Sequence, residues 1–109
     1  MDEKQLVTIG EASKEQIAMW KHSNRKVMAV EVIDGEEKHV AYFKRPSMQT
    51  MSAVTKIGKT DELQGAKVLF DNCFLGGSDA FKDDAVLFME ASKQLAVMME
   101  SCKASLKNL

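Results

Sequence analysis

The chain predicts a single α+β domain over residues 1–109, in which an antiparallel hairpin or three-stranded sheet packs against three to four helices. Three observations lead there. Val-rich runs flank Asp34-Gly35, Ala- and Met-rich stretches with helical spacing fill the second half, and a final stretch free of Gly and Pro reads as one long helix. The length suits one domain of ~100–150 residues, and a hydrophobic fraction of 45% supplies a modest core.

Residues 1–10 are open between a short strand carried by Leu6, Val7 and Ile9 and a mobile arm. Ser13 is the expected N-cap of a first helix, with Gln16 three residues on, because a hydroxyl there accepts from an otherwise unpaired backbone amide. Ile17 and Trp20 share a face, and Asn24 ends the helix. Lys26 to Asp34 and Lys38 to Lys44 then read as the two strands of a hairpin, since Asp-Gly between β-branched runs is a strong signal for a tight turn. Met28, Val30 and Val32 point to one face; Val27, Ala29, Glu31 and Ile33 point to the other. On the return strand, His39, Ala41 and Phe43 oppose Val40 and Tyr42. Two strands alone are marginal in water, so helices are expected to cover one face.

Pro46 cannot donate to a ladder and suits the approach to a helix. Met48, Met51, Val54 and Thr55 carry helical spacing up to Gly58. Thr60 is the expected N-cap of the next helix, whose apolar face is Ala66, Leu69, Phe70 and Cys73, with Gly65 marking close helix packing. Gly76-Gly77 reads as a break between helices, with Phe74 and Leu75 docked back on the core. From Asp83 to Asn108 a helix of about 25 residues is expected, ~37 Å long at 1.5 Å per residue. Its stripe would run Ala85, Phe88, Ser92, Leu95, Met99, Cys102, Leu106, Leu109, broadened by Val86, Met89, Ala96 and Met98.

Composition removes several function classes. With 15 Lys+Arg against 16 Asp+Glu the net charge is −1, so no strong field favours nucleic acid or an anionic membrane. The longest uncharged stretch, Pro46 to Thr55, is polar and short of the ~20 apolar residues of a span. Acids directly after Met1 argue against a signal peptide, and a cytoplasmic protein is expected. Cys73 and Cys102 form no Cys-x-x-Cys pair and stand apart from both histidines, so they read as reduced thiols rather than zinc ligands. His22 and His39 show no spacing to a nucleophile or metal partner. Gly76-Gly77-Ser78 lacks the longer pattern of a phosphate loop, and Asp79, Asp83 and Asp84 lack calcium-loop spacing. They read as helix caps. Lys21, Arg25, Lys26, Lys44 and Arg45 could line a basic edge, but no nucleic-acid motif accompanies them and they read as a solvated face. No cofactor, metal or catalytic set is expected, and a non-enzymatic protein is the reading.

Methionine stands out. Met19, Met28, Met48, Met51, Met89, Met98 and Met99 join the initiator, against one Trp, one Tyr and five Phe. Met fills irregular gaps and suits surfaces that repack against partners. A ~37 Å helix exceeds what a domain of ~13 Å radius of gyration readily covers. Met89, Leu95, Met98, Met99, Cys102 and Leu106 are therefore the candidate protein-binding residues.

The order of features carries a resemblance. A hairpin ending in Tyr42-Phe43-Lys44-Arg45-Pro46, a helix pair, Asn72-Cys73 with Gly76-Gly77, and a last long helix resemble the small tail assembly chaperones of phages and prophages over residues 26–109. That resemblance implies a non-enzymatic protein in a bacterial host cytoplasm. It would hold a long helical tape measure protein before the tail tube forms, and it would be able to self-assemble. Binding would use the last helix or the gap between it and the helices of residues 47–73. The other reading is a small bacterial adaptor that dimerises through its C-terminal helix.

Overall fold

A computed structural model describes residues 6–109. The first five residues of the possible N-terminal arm lie outside the described part. The elements run β1 (Val7–Ile9), α1 (Lys14–Ser23), β2 (Val27–Asp34), β3 (Glu37–Lys44), α2 (Met48–Gly58), α3 (Glu62–Cys73), β4 (Phe74–Gly77), α4 (Ala80–Asp83) and α5 (Ala85–Met99). The fold is α+β as expected, with five helices and four strands among the described residues.

Strand β3 is the centre of the sheet. It pairs antiparallel with β2 along its full length, Val27 opposite Lys44 and Asp34 opposite Glu37. Its other edge is shared. β1 pairs parallel with residues 37–39, and β4 pairs antiparallel with residues 41–43. Of the two forms open for the N-terminal segment, Val7–Ile9 takes the strand, and it pairs in parallel. The fourth strand stands where the sequence predicts a break, because Phe-Leu-Gly-Gly carries no strand pattern. It forms since β3 otherwise leaves a row of unpaired amides and carbonyls on that edge, which are costly when buried. A register shift at Tyr42/Phe43 lets Leu75 bulge out of the ladder, a common device where a strand must bend.

β1 and β4 approach Val40 from opposite directions and their C-terminal ends meet there. The Ser78 amide donates to the Val40 carbonyl at 2.9 Å. A glycine with positive φ stands at the end of each, Gly10 (93°) directly after β1 and Gly77 (140°) as the last residue of β4. A Cβ on Gly77 would stand 2.5 Å from the Val40 oxygen and from Ala41 Cα. Only glycine admits both the dihedral and the approach.

The first face of the sheet is covered by the helices, and α1 also covers the β3 part of the second face, leaving Ala29, Glu31 and Ile33 of β2 exposed. On the first face Met28, Val30, Val32, Ala41 and Phe43 join Phe70, Cys73, Phe81, Leu87, Phe88, Ala91, Leu95 and Met98 in the core. All five phenylalanines meet here. Phe70 is the hub, with ring centroids 5.2 Å from Phe43, 5.5 Å from Phe74, 6.5 Å from Phe81 and 5.3 Å from Phe88. On the second face α1 lays Trp20 over Tyr42 at 5.3 Å, and the Ala12 amide donates to the Tyr42 hydroxyl at 3.2 Å. This is why Val40 and Tyr42 are as buried as Ala41 and Phe43.

The local signals in the helices hold. Ser13 accepts from the Gln16 amide, and Asn24 returns hydrogen bonds to the Trp20 carbonyl. Ser47 caps α2 through the Thr50 amide. Asp61, rather than Thr60, caps α3 through Gln64. Gly65 lies against Gly58 and the Val54 carbonyl, so α2 and α3 pack at backbone distance. Asp84 caps α5, accepting from Val86 and Leu87 at 2.9 and 3.1 Å.

The last helix is shorter than its sequence suggests. α5 has 15 residues and ends at Met99, about 22 Å at 1.5 Å per residue. The Glu100 and Ser101 amides turn back to the Val97 and Met98 carbonyls, the three-residue closure typical of a final turn. Beyond it residues 101–109 are exposed and without regular structure. Good helix formers do not suffice there. A short helix with no apolar face to bury is marginal in water.

Candidate functional site

The buried stripe of α5 keeps Phe88, Leu95 and Met98 of the expected one, adds Leu87 and Ala91, and leaves Ala85 and Met99 exposed. Leu87, Phe88, Ala91, Leu95 and Met98 face the core. Of the six candidate binding residues, Leu95 (2% exposed) and Met98 (8%) are therefore core residues, and this corrects their expected place on an outer stripe. Ser92 is half-buried, and its hydroxyl has no hydrogen-bond partner among the described residues. Met89 and Met99 are exposed on α5, while Cys102 and Leu106 (99% exposed) lie beyond the helix. The six do not form one surface. The methionines divide likewise: Met98 and Met28 serve the core, and Met19, Met48, Met89 and Met99 face solvent.

Met89 belongs to a different feature. A cleft of about 570 Å³ opens between α3 and the α4–α5 corner. Leu63, Phe70, Ala85, Phe88 and Met89 give it apolar walls; Lys67, Asp71, Lys82, Asp83 and Asp84 give it a charged rim. Leu63, Lys67, Phe70 and Asp71 follow helical spacing and bring one side of α3 to the gap. Phe70 and Phe88 touch at its base. Leu63 and Met89 remain half exposed at its mouth. The Lys82 ammonium sits 4.5 Å from the Phe74 ring centroid, so its charge is held against an aromatic face. Asp84 is already engaged in capping α5. It occupies only the α3 side of the gap between the last helix and the helices of residues 47–73, and no α2 residue lines it. Sequence reasoning named the gap but missed Leu63, whose contribution depends on how α3 crosses α5.

His39 acquires a setting its sequence context did not announce. It is buried in β3, with Nδ1 2.7 Å from the Ser78 hydroxyl and Nε2 2.9 Å from Glu37 Oε1. Ser78 Oγ also accepts from the Ala80 amide at 3.2 Å. One assignment satisfies every group: the Ser78 hydroxyl donates to Nδ1, and Nε2–H donates to Glu37. Serine, histidine and carboxylate in a row invite comparison with a hydrolase triad. There, however, serine meets Nε2 and the carboxylate meets Nδ1, with the hydroxyl open to substrate. Here the order is reversed and Ser78 is 3% exposed. The row ties β4 and the start of α4 to β3. His22 is exposed at the end of α1.

The thiols are separate. Cys73 is buried and Cys102 exposed, and both are free. Burial raises the Cys73 thiol above its ordinary value of 9.0, with Lys44 opposing. The neutral thiol is therefore favoured in the fold. Its contribution to stability is complete below that ordinary value and declines as pH rises past it. Arg45 reaches Ser101 and Cys102 at 3.1 and 3.5 Å. One thiol per native chain, Cys102, should accordingly attack an aromatic disulfide reagent rapidly at neutral pH, forming a mixed disulfide and releasing one equivalent of aromatic thiolate. The second should appear only on unfolding, and Cys102→Ser should abolish the fast phase.

Among the described residues no group of three or more His, Cys, Asp or Glu is placed to hold a metal, and no helix is long and apolar enough to cross a membrane. No family model, curated protein or solved structure matches this chain significantly. The likeness to tail assembly chaperones rests on the order of sequence features alone.

Proposed function

We propose that this chain is a binding protein for a helical protein client, of the kind a tail assembly chaperone offers a long tape measure protein. The observation that carries the reading is the α3–α5 cleft. Its walls are Phe70, Phe88, Leu63 and Met89, and its rim carries both signs of charge. An amphipathic helix laid in such a groove buries its apolar face and meets charges along its flanks. Methionine at the mouth adapts to varied side chains. The client role itself comes from the sequence resemblance.

The alternative, an adaptor that dimerises through its last helix, has less support. The seam expected for it ran through Leu95 and Met98, which the fold spends on its own core.

The test is co-expression with a long helical protein encoded beside this chain's gene. Wild-type chain should keep that client soluble and co-purify with it. Leu63→Asp and Met89→Asp, both on half-exposed residues, should retain the fold and weaken binding about tenfold or more, as charge in an apolar contact is costly. A client held equally well by both variants, or the lack of any such neighbouring protein, overturns the reading.

A further inference from the structure

We propose that the outer edge of β2 is an interface between two copies of this chain, paired antiparallel about Val30. Strand β2 has eight residues and pairs with β3 on one side only; among the described residues no strand meets its other edge. A long free edge is a template for another strand unless charge or a bulge blocks it. The occupant is argued from the strand's own pattern, which is self-complementary.

With Val30 opposite Val30 of the second copy, Met28 meets Val32, Val27 meets Ile33, and Lys26 meets Asp34. Every pair joins residues that share a face of the sheet. The two ends place opposite charges together, twice in the dimer. Ile33 is 62% exposed in the single chain, and this pairing gives it an apolar neighbour. Glu31 meets Ala29, and its own charge is already faced by Lys38 at 3.8 Å.

Neighbouring registers fail on the same criteria. A slip of one residue sets core-facing side chains against outward ones. A slip of two in one direction puts Glu31 opposite Glu31, and in the other it leaves Lys26 facing Val32 and Asp34 facing Asn24. Like charges directly opposite one another are destabilising. The contact is small beside standard interfaces of ~1,200–2,000 Å², so the dimer should be weak and concentration-dependent. Its sheet would run continuously through both copies, leaving the two α3–α5 clefts free.

Sedimentation velocity over about 1 μM to 1 mM, where weak contacts associate, tests this. Wild type should pass from monomer to dimer. Lys26→Glu and Asp34→Lys should each weaken association about tenfold or more, since each turns two attractive pairs into repulsive ones. An equimolar mixture of the two variants should dimerise again, because each then faces its complement. Hydrogen exchange on wild type supplies a second readout, with β2 amides gaining protection as concentration rises. A monomer at all concentrations overturns the proposal. So does a dimer indifferent to both reversals, which would lie on another surface. Leu63→Asp should leave the dimer intact, so failure of this interface and failure of the client cleft are separable.

Discussion

Phe70→Ala should cost about 3–5 kcal/mol of folding stability, the range for removing a large aromatic from a packed core. Domains of this kind hold only about 5–15 kcal/mol in total, so the variant should be close to unfolding at ambient temperature. The magnitude follows from position. Phe70 touches four of the aromatic rings that join α3, β3, β4, α4 and α5, and it is 1% exposed. Its loss leaves a void that no single neighbour can fill, because each neighbour is anchored on a different element. Urea unfolding should show a lower midpoint with the slope nearly unchanged. Met48→Ala, at the exposed start of α2, should stay within about 0.5 kcal/mol of wild type. A Phe70→Ala midpoint indistinguishable from that of Met48→Ala would remove Phe70 from its place as hub.

Gly77→Ala should be comparably damaging, at about 3 kcal/mol or more. Two effects add. The residue sits at φ 140°, and backbone strain of that sort costs about 1–3 kcal/mol. The new Cβ would also press on Val40 and Ala41 at 2.5 Å, and forced overpacking adds about 1–3 kcal/mol. Gly35 separates the two. It also has positive φ, 62°, yet a Cβ there meets nothing within 4 Å, so Gly35→Ala should cost only about 1–2 kcal/mol. Thermal unfolding of the two variants side by side checks the difference. Equal losses would mean that the β1–β4 junction at Val40 is looser than its contacts indicate.

These two residues show where sequence reasoning reached and where it stopped. Phe70 was legible as part of the apolar face of α3, because helical spacing is a local property. Its rank among core residues was not, since that depends on Phe43, Phe81 and Phe88 arriving from elsewhere in the chain. Gly77 read as a helix breaker, a fair inference from paired glycines, yet it ends a strand. No periodicity in four residues could reveal β4, whose existence depends on the vacant edge of β3. The candidate binding residues divided for a similar reason. Met89 reached the cleft, but Leu95 and Met98 turned inward, because α5 docks on its own core along Phe88 and Leu95 of the expected stripe together with Leu87 and Ala91, which that stripe lacked.

Local sequence sets the α+β class, the β2–β3 hairpin and its two faces, the extent of α2, and the caps at Ser13 and Asn24. Each depends on residues within a few positions of one another, where side-chain spacing, turn chemistry and backbone hydrogen bonding act directly. Long-range packing settles the rest. It placed β1 and β4 end to end on β3, linked His39 to Ser78 across 39 positions, stopped α5 at Met99, and opened the cleft between α3 and α5. Those outcomes follow from which surfaces are left to bury and which edges are left to pair after the local elements form, and no local pattern encodes that remainder.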